Sequence, residues 1–426
     1  IFKWMGEYSR EILPSPSPFA SSFRLLGMTS SVYITLVPPP LARHIYRSLI
    51  SCPPGICCRV RLIPTLPRYY SSRMALKAVH VTDVPKLDHI QENSSRSIFT
   101  GRASEGRESS DGTYNRGRFM VVGHRGSGMN ILQSTDPRMK SVKENTIASF
   151  NAASCFPVDF IEFDVQVTKD NCPVIFHDNF IVTENNGTVI EKRVTDLALS
   201  ELLSYGPQRV SGEEGKPLLR KTKDGGILKW SVEQDDYLCT LQEAFLLVNA
   251  SLGFNIELKF DDHIAYEHDD LNRILRAILQ IVSDYARDRP IFFSTFQPDA
   301  AVLVRKLQST YPVFFLTNGG NEIYDDKRRN SLDEAIKVCC EGGLQGIVSE
   351  VRGALRNLGA VTKIKDSKLK LFTYGQLNNI PEAVYMQYLM GIDGVIVDLV
   401  EEVTVAMEKL LPDWRVEEDD ERKADE

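Results

Sequence analysis

No CxxC pair occurs among the eight cysteines of this 426-residue chain, and only five of the eight (Cys155, Cys172, Cys239, Cys339 and Cys340) fall in its well-patterned region. That spacing excludes a disulfide framework and argues against a zinc centre, leaving small buried thiols in a reducing compartment. No run of 18 or more apolar residues exists, so no membrane-spanning helix is expected. The most apolar early stretch, Tyr33–Ala42, is interrupted by Pro38, Pro39 and Pro40. No internal repeat is present. Acidic residues are missing altogether from Met28 to Arg73, where Arg and Ser recur. That is the composition of an organelle transit peptide, or else of non-coding sequence translated upstream of a start at Met74. A chain opening on Ile1 is expected to be a fragment or a conceptual translation.

Charge is split along the chain. Residues 1–73 carry nine Lys+Arg against two Asp+Glu, and the remainder carries 41 against 55. So acidic a body lacks the basic footprint that nucleic acid requires, and an anionic substrate would have to be held by local cations. The expected organisation is a leader over 1–73, an N-terminal extension and linker over 74–118, a catalytic domain over 119–406, and an acidic tail over 407–426. The Ser- and Gly-rich stretch 91–117 supplies the linker, and the last ten residues hold seven acids and two bases.

Within 119–406, short apolar runs alternate with helical patterns. Candidate strands are Phe119–Gly123, Phe160–Val165, Val174–Phe176, Phe254–Leu258, Ile291–Ser294, Val313–Leu316, Gly346–Val348, Lys370–Thr373 and Gly394–Val397. Continuous apolar strands are covered on both faces, and strand–helix alternation gives a parallel α/β architecture. About eight such strands favour a closed (β/α)8 TIM-type barrel. Ser331 and Glu334 form a capping box, with Gly342 ending that helix. The few residues around Thr168–Asn171 cannot hold a helical crossover. They predict a tight return that sets Phe176–His177 beside Ile161–Glu162. The polar, weakly patterned stretch of about 180–250 reads as a small insertion after the third strand, above the barrel mouth.

The polar residues that could do chemistry cluster at strand ends, where barrel active sites lie. Gly123-His124-Arg125-Gly126 follows the first strand. Glu144-Asn145-Thr146 opens a helix, Glu162-Phe163-Asp164 lies on a strand, His177-Asp178 follows the third, and Glu257-Leu258-Lys259 closes the fourth. Residues i and i+2 of a strand share a face, so Glu162 pairs with Asp164 and Glu257 with Lys259. Several inward carboxylates are costly to bury unless a cation offsets them, and a three-carboxylate set suits Mg²⁺ or Ca²⁺. Arg125 and Lys259 are then phosphate-binding candidates, and His124 and His177 a proton acceptor and donor. Each element alone has an ordinary explanation: a structural histidine, an exposed strand face, a surface ion pair. Their conjunction in this order between His124 and Lys259 is a much stronger signal than any one of them.

The order HRG, ENT, Glu-x-Asp, HD, Glu-x-Lys resembles that of the glycerophosphodiester phosphodiesterases. The likeness covers most of Phe119–Val400, ending in GIDGVIVD, and is nearest to plant plastid or cytosolic members, whose start MALKAVHVTDVPKLD from Met74 is similar to. The resemblance implies a barrel of the phospholipase C-like phosphodiesterase kind. It implies His124 and His177 as the acid/base pair, Glu162, Asp164 and Glu257 as metal ligands for Mg²⁺ rather than Ca²⁺, and Arg125 and Lys259 on phosphate. Glu144 would support that cluster and Phe372 would wall the glycerol. The implied reaction takes glycerophosphodiesters such as glycerophosphocholine to glycerol 3-phosphate and an alcohol, in a plastid, or in the cytoplasm if residues 1–73 are not translated. Two features depart from the family pattern: the long Ser127–Lys143 segment, and Phe372-Thr373-Tyr374-Gly375 followed by Asn378 where Trp-Thr-x-Asn is common. The rival readings are a phospholipase C/D-type or lysophospholipase D enzyme on the same barrel, and a non-catalytic binding protein. Metal-dependent release of glycerol 3-phosphate separates them.

Overall fold

The structure, a computed structural model, describes residues 118–411 except 211 and 223. The leader, almost all of the extension and linker, and the charged end of the tail lie outside the described residues. Thirteen strands follow in chain order: β1 (Met120–Gly123), β2 (Phe160–Val167), β3 (Pro173–Ile175), β4 (Phe180–Asn185), β5 (Thr188–Arg193), β6 (Leu219–Lys221), β7 (Ile227–Lys229), β8 (Gly253–Leu258), β9 (Ile291–Thr295), β10 (Val313–Thr317), β11 (Gly346–Glu350), β12 (Lys370–Tyr374) and β13 (Gly394–Val397). All nine strands expected from the sequence are among them, with ends moved by at most two residues.

Eight of the strands form a closed parallel barrel in the order β1-β13-β12-β11-β10-β9-β8-β2, and β1 returns to β2 through Val122↔Phe160 and Gly123↔Ile161. Period-2 alternation divides each strand between two cores. Inward residues Val122, Phe160, Phe292, Phe314, Val348, Phe372 and Ile396 fill the barrel, with ring centroids 5.0–5.6 Å apart among the four phenylalanines. Outward residues such as Ile161, Phe163, Phe254, Ile256, Phe293 and Phe315 pack on the helices. The helix His268–Tyr285 shows why those segments are helical: Leu271, Ile274, Leu275, Ile278 and Val282 recur at 3.6-residue spacing and are its buried face. Ser331 caps the helix Leu332–Gly342 by accepting from Glu334 N; the left-handed residue that ends it is Gly343, one beyond the expected stop.

Two glycines leave room for the filling rings. A Cβ at Gly253 would lie 2.3 Å from the Phe160 ring, and one at Gly394 2.4 Å from Phe372. Both contacts are with rings that cannot retreat in a packed interior. Gly253→Ala is expected to lower unfolding stability by about 1–3 kcal/mol through overpacking, read from urea denaturation. An unchanged midpoint would mean that Phe160 has space to move.

β3 pairs antiparallel with β2 through Val165↔Ile175, Gln166↔Val174 and Val167↔Pro173, and Phe176 N donates to Asp164 O at 2.9 Å. The return therefore sets Phe176–His177 beside Phe163–Asp164, two residues along from the expected Ile161–Glu162. The cause is that β2 runs on to Val167, so the turn closes later, with Thr168 N bonded to Cys172 O. After β3 comes a four-stranded antiparallel sheet in the order β5-β4-β6-β7. It has its own core of Phe176, Ile181, Val194, Leu197, Leu202, Tyr205, Leu218 and Trp230. The helix Leu241–Leu247 that follows buries Leu241, Ala244 and Phe245 in the barrel's outer core instead. The Ser127–Lys143 segment braces the added sheet: Lys143 N bonds Gln234 O, and Gln234 N bonds Ser141 O.

Candidate active site

The strand ends at one mouth of the barrel carry the polar residues. On β2 the inward face reads Phe160, Glu162, Asp164, so the two acids stand directly above the aromatic filling. Parallel register sets Asp164 against Glu257 of β8. One carboxylate oxygen from each of Glu162, Asp164 and Glu257 lies within 4.8 Å of the other two. Lys259, just past β8, reaches Glu257 Oε1 at 2.9 Å and Asp164 Oδ1 at 3.5 Å. After β1 the chain turns sharply, with Arg125 at φ +50°. Its backbone N donates to Glu162 Oε2 at 3.0 Å, its Nη1 to Glu144 Oε1 at 2.6 Å, and its Nε lies 3.4 Å from Asp164 Oδ2. Asn145, also left-handed at φ +57°, donates from Nδ2 to Asp164 Oδ2 at 2.8 Å, and Thr146 caps the helix Ile147–Ala153.

Both histidines are anchored through Nδ1. His124 Nδ1 is 2.6 Å from Asp398 Oδ1, and its Nε2 faces Glu162 Oε2 at 3.9 Å. His177 Nδ1 is 2.7 Å from Asp178 Oδ1. A carboxylate accepting at Nδ1 fixes the tautomer that leaves Nε2 free to move a proton. Asp398 is itself fixed: it accepts from Met129 N at 3.0 Å and from Asn379 Nδ2 at 2.9 Å.

Charge is crowded here. Burial and the neighbouring Asp164 and Glu257 carboxylates push Glu162 well above the usual carboxylate range. Burial also opposes a charge on Asp164, but His177, Arg125 and Lys259 together hold its carboxyl far below the usual value. Against the same burial penalty, Arg125 and Arg220 bring Glu144 down to about 2, and His124 brings Asp398 down to about 2. Glu162 Oε1 is buried and accepts no hydrogen bond. A buried carboxylate oxygen without a donor is costly, and three oxygens converging beside it form a donor set that fits a hard divalent cation.

The structure brings together eight of the nine residues singled out from the sequence. Phe372 is the exception. It is fully buried in the barrel filling, packed on Phe292 and Phe314. It lies too deep to wall a substrate at the mouth: Tyr374, two residues on and on the same inward face, reaches the mouth, where its ring meets Phe296 edge-on at 6.3 Å. Asn378 is likewise structural, bonding Thr373 O and Ile396 O. Sequence reasoning missed Asp398, Asp178 as a partner of His177, and Asn145 as a partner of Asp164. Asp398 ends the GIDGVIVD stretch right after β13, and a carboxylate at the end of a barrel strand was the available signal.

Residues 124–402 match the Glycerophosphoryl diester phosphodiesterase family. The chain belongs to that family. It is 63% identical over 339 residues to the chloroplastic glycerophosphodiester phosphodiesterase GDPD1 of Arabidopsis thaliana, covering 79% of this chain and 91% of the relative. It is 32% identical over 327 residues to the glycerophosphocholine phosphodiesterase GDE1 of Candida albicans, covering 66% of this chain and 28% of that longer protein. Among solved structures, a Silicibacter pomeroyi protein assigned as a glycerophosphoryl diester phosphodiesterase superposes with a TM-score of 0.52 at 21% identity, over 69% of this chain and 96% of that one. That likeness bears on the barrel fold. Among the described residues no helix is long and apolar enough to cross a membrane.

Proposed function

We propose that this enzyme hydrolyses glycerophosphodiesters, glycerophosphocholine among them, to sn-glycerol 3-phosphate and an alcohol, serving phospholipid turnover and phosphate recycling. The observation that carries the reading is the carboxylate triad with an unpartnered buried oxygen, flanked by two cations and two Nδ1-anchored histidines. Glu162, Asp164 and Glu257 would hold a divalent cation, Mg²⁺ in preference to Ca²⁺. When bound, the cation offsets charge on the phosphoryl oxygens as it builds in the transition state. Arg125 and Lys259 bind those oxygens from the protein side. A hydroxyl oxygen, of water or of the substrate's own glycerol, forms the new P–O bond as the bond to the alcohol oxygen breaks. One histidine takes the nucleophile's proton at Nε2, and the other gives a proton to the departing alkoxide. With the internal nucleophile, water then opens the cyclic phosphate by the same two transfers in reverse. The alcohol departs into a cleft of about 440 Å³ that runs from His177 and Lys259 past Phe180, Phe296 and Tyr324.

The test is release of glycerol 3-phosphate from glycerophosphocholine, measured with coupled dehydrogenase. Chelation is expected to abolish the release and added Mg²⁺ to restore it, because the triad cannot ionise fully without a counter-ion. Full turnover by chelated enzyme would overturn the metal assignment. The chloroplastic relative and the acid-free stretch Met28–Arg73 support plastid targeting. A fluorescent fusion of residues 28–73 is expected in plastids, and a diffuse cytosolic signal would refute it.

A further inference from the structure

We propose that Arg220, carried on the β4–β7 sheet and not on the barrel, is a positioning residue for the reaction, holding the Asp178–His177 pair in its working orientation. The inference rests on the role given to His177 above.

Arg220 sits on β6, which is fixed between its neighbours by Val182↔Leu219 and Leu219↔Lys229. Its side chain is only 11% exposed. The guanidinium lies 4.2 Å over the Trp230 ring, and Trp230 is pinned by Nε1 donating to Asn130 Oδ1 at 3.0 Å. One edge of the fork grips Glu144: Nη1 to Oε2 at 2.8 Å and Nη2 to Oε1 at 2.9 Å. Nη1 also donates to Asn130 O at 3.2 Å. The other edge faces Asp178, with Nη2 3.4 Å from Oδ1 and Nε 3.3 Å from Oδ2. Asp178 is the carboxylate on which His177 Nδ1 rests.

The geometry explains why a planar fork is needed. Glu144 and Trp230 hold the guanidinium on two sides, so its free edge presents a fixed pair of donors to both oxygens of Asp178. A lysine ammonium can satisfy Glu144 but cannot span both carboxylates. Without the fork, Asp178, whose side chain is 31% exposed, loses its two fixed contacts besides His177 and can turn towards solvent, taking the imidazole with it. The added sheet therefore completes the proton-transfer apparatus while contributing no residue to the metal triad.

The experiment compares Arg220→Ala and Arg220→Lys, each alone and combined with His177→Ala, with Mg²⁺ present, on glycerophosphocholine and on bis(p-nitrophenyl) phosphate. Each single variant is expected to lose about 10- to 100-fold in kcat, as outer-sphere partners of reacting groups typically do, with far less change in KM. In the His177→Ala background the same substitutions are expected to cost little, because the group they position is gone. Millimolar guanidinium is expected to restore part of the Arg220→Ala loss, and methylammonium is not. Wild-type kcat on glycerophosphocholine in either single variant, or an equal loss there with and without His177, would overturn the proposal. The lysine variant keeps a cation on Glu144, so the comparison stands even where the alanine variant folds poorly. Turnover by the unmutated enzyme of the chromogenic diester alone would refute the substrate reading, and there the role of Arg220 is decided by whether its variants lose or keep activity together with His177→Ala.

Discussion

Lys259→Met lowers kcat/KM by the equivalent of about 2–4 kcal/mol while leaving the melting temperature of the Mg²⁺-loaded enzyme nearly unchanged; this is the outcome expected from the charge arrangement at the mouth. Lys259 Nζ touches two carboxylates, Glu257 and Asp164. In an ordinary ion pair that would be its whole purpose, and with Asp164 1% and Glu257 12% exposed its removal from the metal-free enzyme would leave buried carboxylates uncompensated. Here both partners belong to the triad that fits a cation. With a divalent ion held by those carboxylates, the ammonium would be free to face anionic oxygen at the edge of the cleft, where it is 15% exposed. Methionine keeps the length and apolar stem but removes the charge, so the loss falls on the transition state and not on packing. Steady-state kinetics beside thermal unfolding reads the two effects separately. A large stability loss with normal kinetics would assign Lys259 to the structural ion pair.

What could be read from the sequence divides along physical lines. The barrel strands were legible because each is covered on both faces, by the inner rings on one side and helices on the other. Their apolar runs are therefore continuous. β4–β7 were not legible, because β6 and β7 are three residues each and β5 and β7 bury no residue, so neither an apolar run nor a clean alternation marks them. Within the site, the residues on strands were legible through i, i+2 spacing, which gives the face of a side chain. Depth along the barrel axis depends on the stagger of neighbouring strands, which no local pattern carries. The sequence pattern therefore does not separate Phe372, part of the filling, from Tyr374 at the mouth. The partners that orient the reacting groups were hidden for a different reason. Asp398 lies 274 residues from His124, and the two meet only because β13 closes onto β1. Arg220 reaches Asp178 across 42 residues that include β4 and β5.

The histidine pair follows from that closure. His124→Ala and His177→Ala are each expected to lower kcat by about 10²-fold or more, since a positioned proton transfer typically contributes that much. Neither substitution is expected to prevent folding: each imidazole is partly exposed at the mouth, with side-chain exposures of 21% and 32%, and neither belongs to a hydrophobic core. Each rests on its own carboxylate, Asp398 or Asp178, so the proposed proton transfers would fall to two separately held groups. The losses in the double variant are expected to fall short of their product, because both residues serve one transition state. A substrate with a nitrophenolate leaving group departs without protonation, so it rescues only the variant that has lost the general acid and thereby assigns the roles. Asp398→Asn keeps the shape beside His124 but offers the ring a weaker, reorientable partner. It is expected to reproduce part of the His124→Ala loss and to add little to it in combination. If both alanine variants turned over glycerophosphocholine at near the wild-type rate, proton transfer would have to be placed on other groups, and the active site drawn here would be wrong.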